Sequence, residues 1–261
     1  MIRAIRCELA RLRNRNFILG GIGLMAALAL MLTSIIFVTA GERVMGPGDR
    51  AVTVATLEAA DGMFVGVQSS FAMLGIVVLA LWAVAVTSDY ASGLIRLLVQ
   101  AEPSRLRLLG GKIVALSAFT CVATLVTTVV ILAVMPGIAN LVGVSTSAWN
   151  DDLLRTVAVG YVNLTLAALL WGVVGLFVGM VTRSAGVAIA VGIGYLLVFE
   201  GLLGLLLDSA SKWLPGSSFS AIAAGGTADM TYGTALLLAA AYACAALVAA
   251  ALIFRRRDIT D

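Results

Sequence analysis

The sequence predicts an all-α integral membrane protein with six transmembrane helices, and two observations carry that prediction. The first is composition: 61% of the 261 residues are hydrophobic and only 12% are charged, with a mean hydropathy of +1.08. A soluble domain has about 45–50% apolar and about 25% charged residues, so one globule of this size could not bury so much apolar surface. The second is that the apolar runs are continuous, as in residues 235–241. Strands of a membrane barrel would alternate apolar and polar residues.

Six apolar stretches are long enough to cross a membrane. A helix needs about 20 apolar residues for this, because roughly 30 Å of hydrocarbon is crossed at about 1.5 Å per residue. The stretches that qualify are about 17–40, 68–88, 113–135, 156–181, 187–207 and 233–254. We therefore expect residues 1–261 to form a single transmembrane domain.

The distribution of basic residues predicts the orientation. Six spans place both termini on one side, and 13 of the 17 Lys and Arg residues fall at the termini or in the loops of that side. The positive-inside rule then predicts a multi-pass protein of the cytoplasmic membrane with both termini in the cytoplasm. The net charge of +3 follows from this topology and gives no reason to expect nucleic acid as a partner. A cleaved signal peptide is disfavoured, because the first apolar stretch exceeds a hydrophobic region of about 7–15 residues.

Residues 1–16, ahead of the first span, are predicted to form an amphipathic helix. Apolar side chains at 2, 5, 9 and 12 share one narrow stripe at helical spacing, with five arginines around the rest of the circumference. Such a helix lies in the cytoplasmic interface with its arginines near anionic headgroups. The alternative is a basic anchor without a defined helix.

Shorter elements are predicted on the other side of the membrane. The loop 41–67 opens with a turn and has room for a short helix over 51–60, and a second connection begins at Pro136-Gly137. The segment 208–232 is expected to dip partly into the outer leaflet as short broken helices, with protein covering the freed backbone groups. Gly175 and Gly179, four residues apart, indicate a close helix contact, either inside one bundle or at a dimer seam.

The segment between spans two and three, residues 89–112, is the most informative and is called here the connecting segment. It predicts a short cytoplasmic helix, a break at Pro103, and a basic run that returns to the membrane. Its apolar residues over 94–99 are too few to span a membrane and too many for a solvated loop. Either the underside of the bundle or a partner protein is expected to cover them.

This arrangement resembles the permease subunits of ABC transporters, in the type-2 exporter group of six-span permeases. The likeness in topology covers the whole chain, and the motifs lie in residues 1–16 and 88–112. The sequence departs from the family at Ala91-Ser92-Gly93-Leu94, where such permeases often carry Gly-Thr. The matching motifs are Arg11-Leu12-Arg13-Asn14-Arg15 before the first span, Asp89-Tyr90-Ala91-Ser92-Gly93 followed by Arg96, and Pro103-Ser104-Arg105 followed by Lys112.

The resemblance implies that the connecting segment is a coupling helix that inserts into a groove on a separate ATP-binding subunit. ATP and magnesium would bind to that partner, because Gly110-Gly111-Lys112-Ile113 lacks the loop glycine and the hydroxyl of a phosphate-binding loop. A second permease copy, identical or related, would complete the pathway, with membrane lipids around it. The alternative is that the basic residues only enforce topology and touch lipid phosphates. The residues expected to contact or position the ATPase are Asp89, Tyr90, Gly93, Arg96 and Arg105.

Polar residues within apolar stretches are candidates for the translocation path. Glu200 lies in span five, where an ionised carboxylate costs roughly 2.5–3.5 kcal/mol, so it is expected to face a cavity, a partner or the bundle interior. It would either contact a substrate or a proton, or be a protonated carboxyl hydrogen-bonded inside the bundle. Asn163 and Gln68 are weaker candidates, because uncharged amides commonly serve helix packing.

The expected function is therefore export of a lipophilic or amphipathic substrate, drug-like or lipid-like, driven by ATP hydrolysis on the partner. The alternative is an ion-coupled secondary carrier that uses Glu200 and needs no ATPase. An enzyme is disfavoured: the chain has no histidine, which removes histidine triads and His-x-x-x-His zinc sites. Its three cysteines suggest neither a disulfide nor a metal site, and Asp61-Gly62 lacks the further aspartates of a lipid-headgroup transferase. We predict no catalytic or metal-binding residue and no cofactor on this chain.

Overall fold

The computed structural model describes Glu8 and residues 15–40, 52–94 and 104–256, and the regular elements in these ranges are helices. A 3-10 turn covers Ser147–Asn150 and a π-helical turn covers Gly194–Glu200. The predicted amphipathic helix over 1–16 and the predicted coupling helix with Arg96 fall largely outside the described residues. The α-helices are α1 (Arg15–Val38), α2 (Val54–Glu58), α3 (Gly62–Ser69), α4 (Phe71–Ala91), α5 (Arg105–Leu141), α6 (Leu153–Thr182), α7 (Ala185–Ile193), α8 (Gly201–Leu206), α9 (Asp208–Ser211), α10 (Pro215–Ala223) and α11 (Tyr232–Arg256).

Six helical segments are long and apolar enough to cross a membrane, which confirms the six predicted spans. They are α1, α4, α5, α6, the continuous run Ala185–Leu206 that contains α7 and α8, and α11. The chain is therefore a multi-pass membrane protein. The starts of α1, α5 and α7 and the ends of α4, α6 and α11 lie on one side, which we call the basic end; the other side is the opposite end.

The third span is longer than predicted. Helix α5 runs for 37 residues, from Arg105 to Leu141, and Pro136 lies inside it instead of opening the next connection. Met135 and Ala139, on either side of the proline, are fully buried, so packing against the bundle holds the helix through the missing hydrogen bond. The predicted second span also begins differently, because residues 62–69 form the separate helix α3 before α4 starts at Phe71.

Helices α4 and α6 run parallel and approach closely at glycines. A Cβ on Gly175 would contact the backbone of Leu79, and one on Gly179 would lie 3.1 Å from the Cα of Ala83. This spacing therefore serves packing inside the bundle rather than a dimer seam. Each helix also presents a glycine to an indole of the other: Gly75 to Trp171, and Gly172 to Trp82.

Hydrogen bonds between buried side chains join α5 to these two helices. The Trp82 indole donates to the Thr120 hydroxyl at 2.9 Å, and the hydroxyls of Thr124 and Thr165 are 2.8 Å apart. Each bond satisfies polar groups that neither lipid nor the apolar core could satisfy. Spans two, three and four therefore form the fixed centre of the molecule.

Short elements close the opposite end. Trp149 of the 3-10 turn is buried and donates to the carbonyl of Leu57 at 2.9 Å, while Glu58 accepts from the backbone N–H of Ser145 at 3.1 Å. The segment 208–232 contains the short helices α9 and α10, as predicted, while its entry into the outer leaflet stays a prediction. Helix α10 packs on α6 and α11, and its Phe219 ring meets Trp171 edge to face at 5.3 Å.

Burial differs sharply among the spans. In the most apolar window of each helix, 61% of α6 and 56% of α4 is buried, against 17% of the fifth span and 11% of α11. Helix α7 packs on α4 and α6, whereas the π-helical turn and α8 pack mainly on each other. The fifth and sixth spans therefore present most of their apolar surface outward.

Candidate functional site

A buried ion cluster lies at the basic end, where the connecting segment leaves and re-enters the bundle. Lys112, two turns into α5, has its Nζ 2.6 Å from a carboxylate oxygen of Asp89, in the last turn of α4. The same Nζ donates to Glu8 Oε2 at 3.0 Å. One cation thus joins the two ends of the connecting segment to the N-terminal segment.

The cluster is shielded from water. Asp89 is 2% and Glu8 4% exposed. Together with Lys112 they line a cavity of about 20 Å³, whose other walls are Val86, Tyr90, Leu108, Leu109, Met180 and Phe254. Charges surrounded by apolar side chains interact more strongly than exposed pairs, because little solvent screens them. The Lys112 pairs therefore constrain the ends of α4 and α5 firmly.

Tyr90, next to Asp89, receives a cation on its ring. The guanidinium of Arg183 lies 5.5 Å from the ring centroid. Arg183 is also the C-cap of α6, with φ of 53° and its backbone N–H donating to Gly179 at 2.9 Å. The left-handed conformation that ends α6 directs its arginine toward α4, and a cation over an aromatic face is attractive.

Arg105, at the start of α5, binds the end of the last span. Its Nη1 donates to the carbonyls of Phe254 and Arg255, at 3.1 and 3.2 Å. The last carbonyls of a helix lack intrahelical partners and carry the negative end of the helix dipole, so a guanidinium there stabilises α11. Arg105 therefore joins the connecting segment to the sixth span.

Gly93 lies in the turn that follows α4, two residues after the helix ends at Ala91. Its φ of 67° is in the left-handed region, which glycine adopts without steric cost. The backbone N–H of Gly93 donates to Tyr90, and that of Ser92 to Ser88. The turn releases the chain from α4 just after Asp89 and Tyr90.

The structure brings Asp89, Tyr90, Gly93 and Arg105 together at the basic end, and the fifth predicted residue, Arg96, lies outside the described residues. The sequence places Lys112 in a matching motif and in a basic run but gives it no ion-pair partner, and it does not single out Glu8. A sequence signal for Glu8 exists, because it is the one acidic residue in the first 41 positions.

The Glu200 carboxylate, in the fifth span, accepts hydrogen bonds from the start of α10. Its Oε1 accepts from the backbone N–H of Ser217 at 2.6 Å and from the Ser217 hydroxyl at 3.1 Å. Its Oε2 accepts from the backbone N–H of Gly216 at 3.2 Å. The side chain is 8% exposed, so it caps a helix N-terminus inside the bundle, where free N–H groups favour negative charge.

The two amide candidates lie elsewhere. Asn163 on α6 is 6% exposed, and its side-chain oxygen accepts from the Tyr232 hydroxyl at 3.0 Å, which is a packing contact with α11. Gln68 is half-buried in α3, outside the spans. Within the described ranges, no hydrogen bond joins Glu200, Asn163 and Gln68 to one another. The described part of the chain also holds no group of three or more Cys, Asp or Glu side chains suited to a metal.

A comparison with known families gives one match. The family model described as "Protein of unknown function (DUF2705)" matches residues 48–260. That range contains helices α2 to α11 and therefore five of the six spans. No curated protein matches the chain.

Proposed function

The chain belongs to the DUF2705 family, and on that premise we propose that it is the permease subunit of an ATP-driven exporter of the ABC type. The basic end faces the cytoplasm and meets a separate ATP-binding subunit, which binds ATP and magnesium. A second copy of the permease, identical or related, completes the pathway for a lipophilic or amphipathic substrate.

The ion cluster at Lys112 is the observation that carries this proposal. The connecting segment begins and ends on two different spans, and Lys112 ties those two points together through Asp89. Because the cluster is buried, its charges cannot exchange partners freely with water. A force applied to the connecting segment would therefore move α4 and α5 together as a rigid body. It would not be lost to local bending at the two ends of the segment.

Three further contacts extend the same junction to other helices. Glu8 links it to the segment that leads into α1, Arg183 links Tyr90 to the end of α6, and Arg105 links α5 to the end of α11. One short segment is thus attached to the basic ends of most of the spans. This is the arrangement expected of a part that converts the closure of an ATPase into movement of a membrane domain.

Under this proposal the site residues have different roles. Asp89 is too deeply buried to be touched by a partner, so it positions the connecting segment, and Arg105 positions α11. Gly93 sets the direction in which the chain leaves α4. The contact with the ATPase itself belongs to the segment that contains Arg96.

The exposed faces of the last two spans support a route between copies. The cavity at the basic end measures about 20 Å³, whereas a drug-sized ligand needs a pocket of about 300–1,000 Å³. The fifth and sixth spans expose most of their apolar surface. We therefore place the substrate route along the outer faces of these spans, at the contact with the second permease copy.

Co-purification tests the proposal. The C-terminally tagged chain would be extracted from native membranes in mild detergent, and its partners identified by mass spectrometry. We expect a stoichiometric ATP-binding subunit with the wild-type chain, and loss of that subunit with Asp89→Arg.

Lys112→Met and Lys212→Met form a matched pair for the same experiment. Both remove a lysine from an ion pair, but Lys212 pairs with Asp229 at the opposite end, at 3.0 Å and with side chains 35% and 54% exposed. We expect only Lys112→Met to lose the ATPase, and the exchange variant Asp89→Lys/Lys112→Asp to recover part of it. If no ATPase is captured even after cross-linking, the exporter is rejected. Transport driven by an ion gradient would then favour the carrier alternative.

A further inference from the structure

The outer half of the fifth span lies apart from the rest of the bundle. Helix α7 packs on α4 and α6, but the run Gly194–Leu206, called here the half-span, makes few contacts beyond its neighbours in sequence. Leu196 and Glu200 are its buried residues. Most of its large side chains face outward, including Leu197, Val198, Phe199, Leu202, Leu205 and Leu206.

The backbone of the half-span is suited to bending. It begins with a seven-residue π-helical turn, a wide geometry that interrupts the regular hydrogen-bond pattern of an α-helix. Gly194 and Gly204 stand on either side of Glu200, and a Cβ at either position would meet nothing within 4 Å. These glycines are therefore not required for a close contact. Their effect is to make the helix easier to deform, because glycine lowers helix stability.

The polar tie between the half-span and the bundle is Glu200. Its carboxylate accepts all three hydrogen bonds from Gly216 and Ser217, at the first turn of α10. The apolar part of the contact consists of Leu196, which is buried, and Tyr195, which is half-buried against the core. Loss of the carboxylate contact would leave these two side chains to hold this part of the helix in place.

Helix α10, in contrast, is fixed. Phe219 and Ile222 are fully buried, and Phe219 packs on Trp171. Just before α10, the Tyr242 hydroxyl of α11 donates to the carbonyl of Trp213 at 2.6 Å. The helix is thus anchored on both sides, while the carboxylate of Glu200 makes the polar contact that holds the half-span to it.

We propose that Glu200 is the latch of a lateral gate: it holds the half-span against α10, and its release lets the half-span swing outward and opens the bundle toward lipid near the opposite end. The use of this gate to move a lipophilic substrate rests on the proposed function. The latch itself does not depend on that function. The trigger would reach it through α7, which packs on α4, and α4 carries Asp89 at the basic end.

Distances between spin labels on the isolated chain in lipid nanodiscs test the latch. The native cysteines Cys7, Cys121 and Cys244 are replaced by alanine, and labels are placed by Leu154→Cys and Leu205→Cys. Leu205 is on the half-span and Leu154 is on α6; they are 84% and 85% exposed, so labels there should not disturb packing. With Glu200 intact we expect one narrow distance distribution.

Glu200→Gln should release the half-span. The glutamine side chain keeps one oxygen acceptor, but its NH2 group replaces the other oxygen. That NH2 group then faces the backbone N–H groups of Gly216 and Ser217, which can only donate. We expect the distribution to broaden and its mean to increase by about 5 Å, the rise of one helical turn. Glu58→Gln is the matched control, because Glu58 also accepts a backbone N–H near the opposite end but joins two connections instead of the half-span. It should leave the distance unchanged.

A second variant opens the latch without altering the carboxylate. In Gly216→Ala the new Cβ would lie 2.7 Å from the Glu200 carboxyl carbon and push it away from α10. It should broaden the distribution as Glu200→Gln does, whereas Gly186→Ala, where a Cβ meets nothing within 4 Å, should not. An unchanged distance in both test variants overturns the latch. Because no ATPase is present, failure of the exporter proposal would leave this result standing.

Discussion

Two of the buried carboxylates in the described part of the chain, those of Asp89 and Glu200, are held in different ways. Asp89 is 2% exposed and shares the cation of Lys112 with Glu8, whereas Glu200 is 8% exposed and is held by the N–H groups and a hydroxyl of one short helix. A buried ion pair is costly to break, because separation leaves an uncompensated charge. Bonds from a helix N-terminus are weaker and involve no ionic partner. The same chemical group therefore makes a permanent junction at one end and a releasable contact near the other.

The contacts around these two carboxylates differ in the same way. The junction at Lys112 connects α4 and α5 to the N-terminal segment, and Arg183 and Arg105 extend it to α6 and α11. Glu200 connects one half of one span to α10. A rigid junction suits the place where force enters, and a single contact suits the place where the molecule opens.

The largest effect is expected from Lys112→Met, which would show that the junction depends on charge. It removes the cation that two buried carboxylates share, and breaking a buried pair costs about 3–5 kcal/mol. We expect a large drop in the thermal unfolding midpoint, measured by intrinsic fluorescence in detergent. Lys112→Arg should keep most of the stability, and equal stability of the methionine variant would show that the cluster is not a structural junction.

Glu200→Gln should cost less, because backbone donors lose part of a charge-assisted contact but no ion is stranded. Weakening such buried hydrogen bonds costs about 1–3 kcal/mol. The same thermal assay should place this variant between wild type and Lys112→Met. If its loss equalled that of Lys112→Met, the distinction between junction and latch would fail.

Arg183→Ala tests whether the junction extends beyond its buried core. It removes an exposed cation from the ring of Tyr90, a contact worth about 0.5–1 kcal/mol. We expect a small fall in the unfolding midpoint that disappears in a Tyr90→Leu background, as a double-mutant cycle would show. A fall of the same size in that background would assign the effect to the C-cap of α6 alone.

Lys212→Met is expected to have the smallest effect. Its pair with Asp229 is exposed, and such pairs contribute about 0–1 kcal/mol. The unfolding midpoint should stay within error of wild type at physiological salt. A loss as large as that of Lys112→Met would mean that burial does not distinguish the two lysines.

Hydropathy predicts the spans well and their internal structure poorly. The six apolar stretches follow from the length needed to cross lipid, and all six are helices. The π-helical turn at 194–200 could not be predicted from hydropathy. An apolar run has the same hydropathy whether its backbone hydrogen bonds join residues four apart, as in an α-helix, or five apart, as in a π-helix. Pro136 predicts a helix end in isolation, yet buried Met135 and Ala139 carry α5 beyond it. In α5, tertiary packing decides what the local sequence leaves open.

The candidate site was predictable in its location and not in its partners. The order of Asp89, Tyr90, Gly93 and Arg105 around the connecting segment marks the basic end as important. The bond between Lys112 and Glu8 joins positions 104 residues apart, and no periodicity or spacing rule reaches that far. Similarly, the position of Glu200 in the fifth apolar stretch predicts that its carboxylate avoids lipid. The groups that donate to it, at Gly216 and Ser217, belong to a separate short helix that this argument does not identify.

The reciprocal fit of glycines and indoles between α4 and α6 has a consequence for how the sequences of this family can vary. Gly75 leaves room for Trp171, and Gly172 leaves room for Trp82. Neither member of a pair can enlarge unless the other shrinks, so each pair should change together or not at all. Among relatives of this chain, positions 75 with 171 and 172 with 82 are expected to covary, and a relative that carries alanine at one should carry a smaller ring or an aliphatic residue at the other.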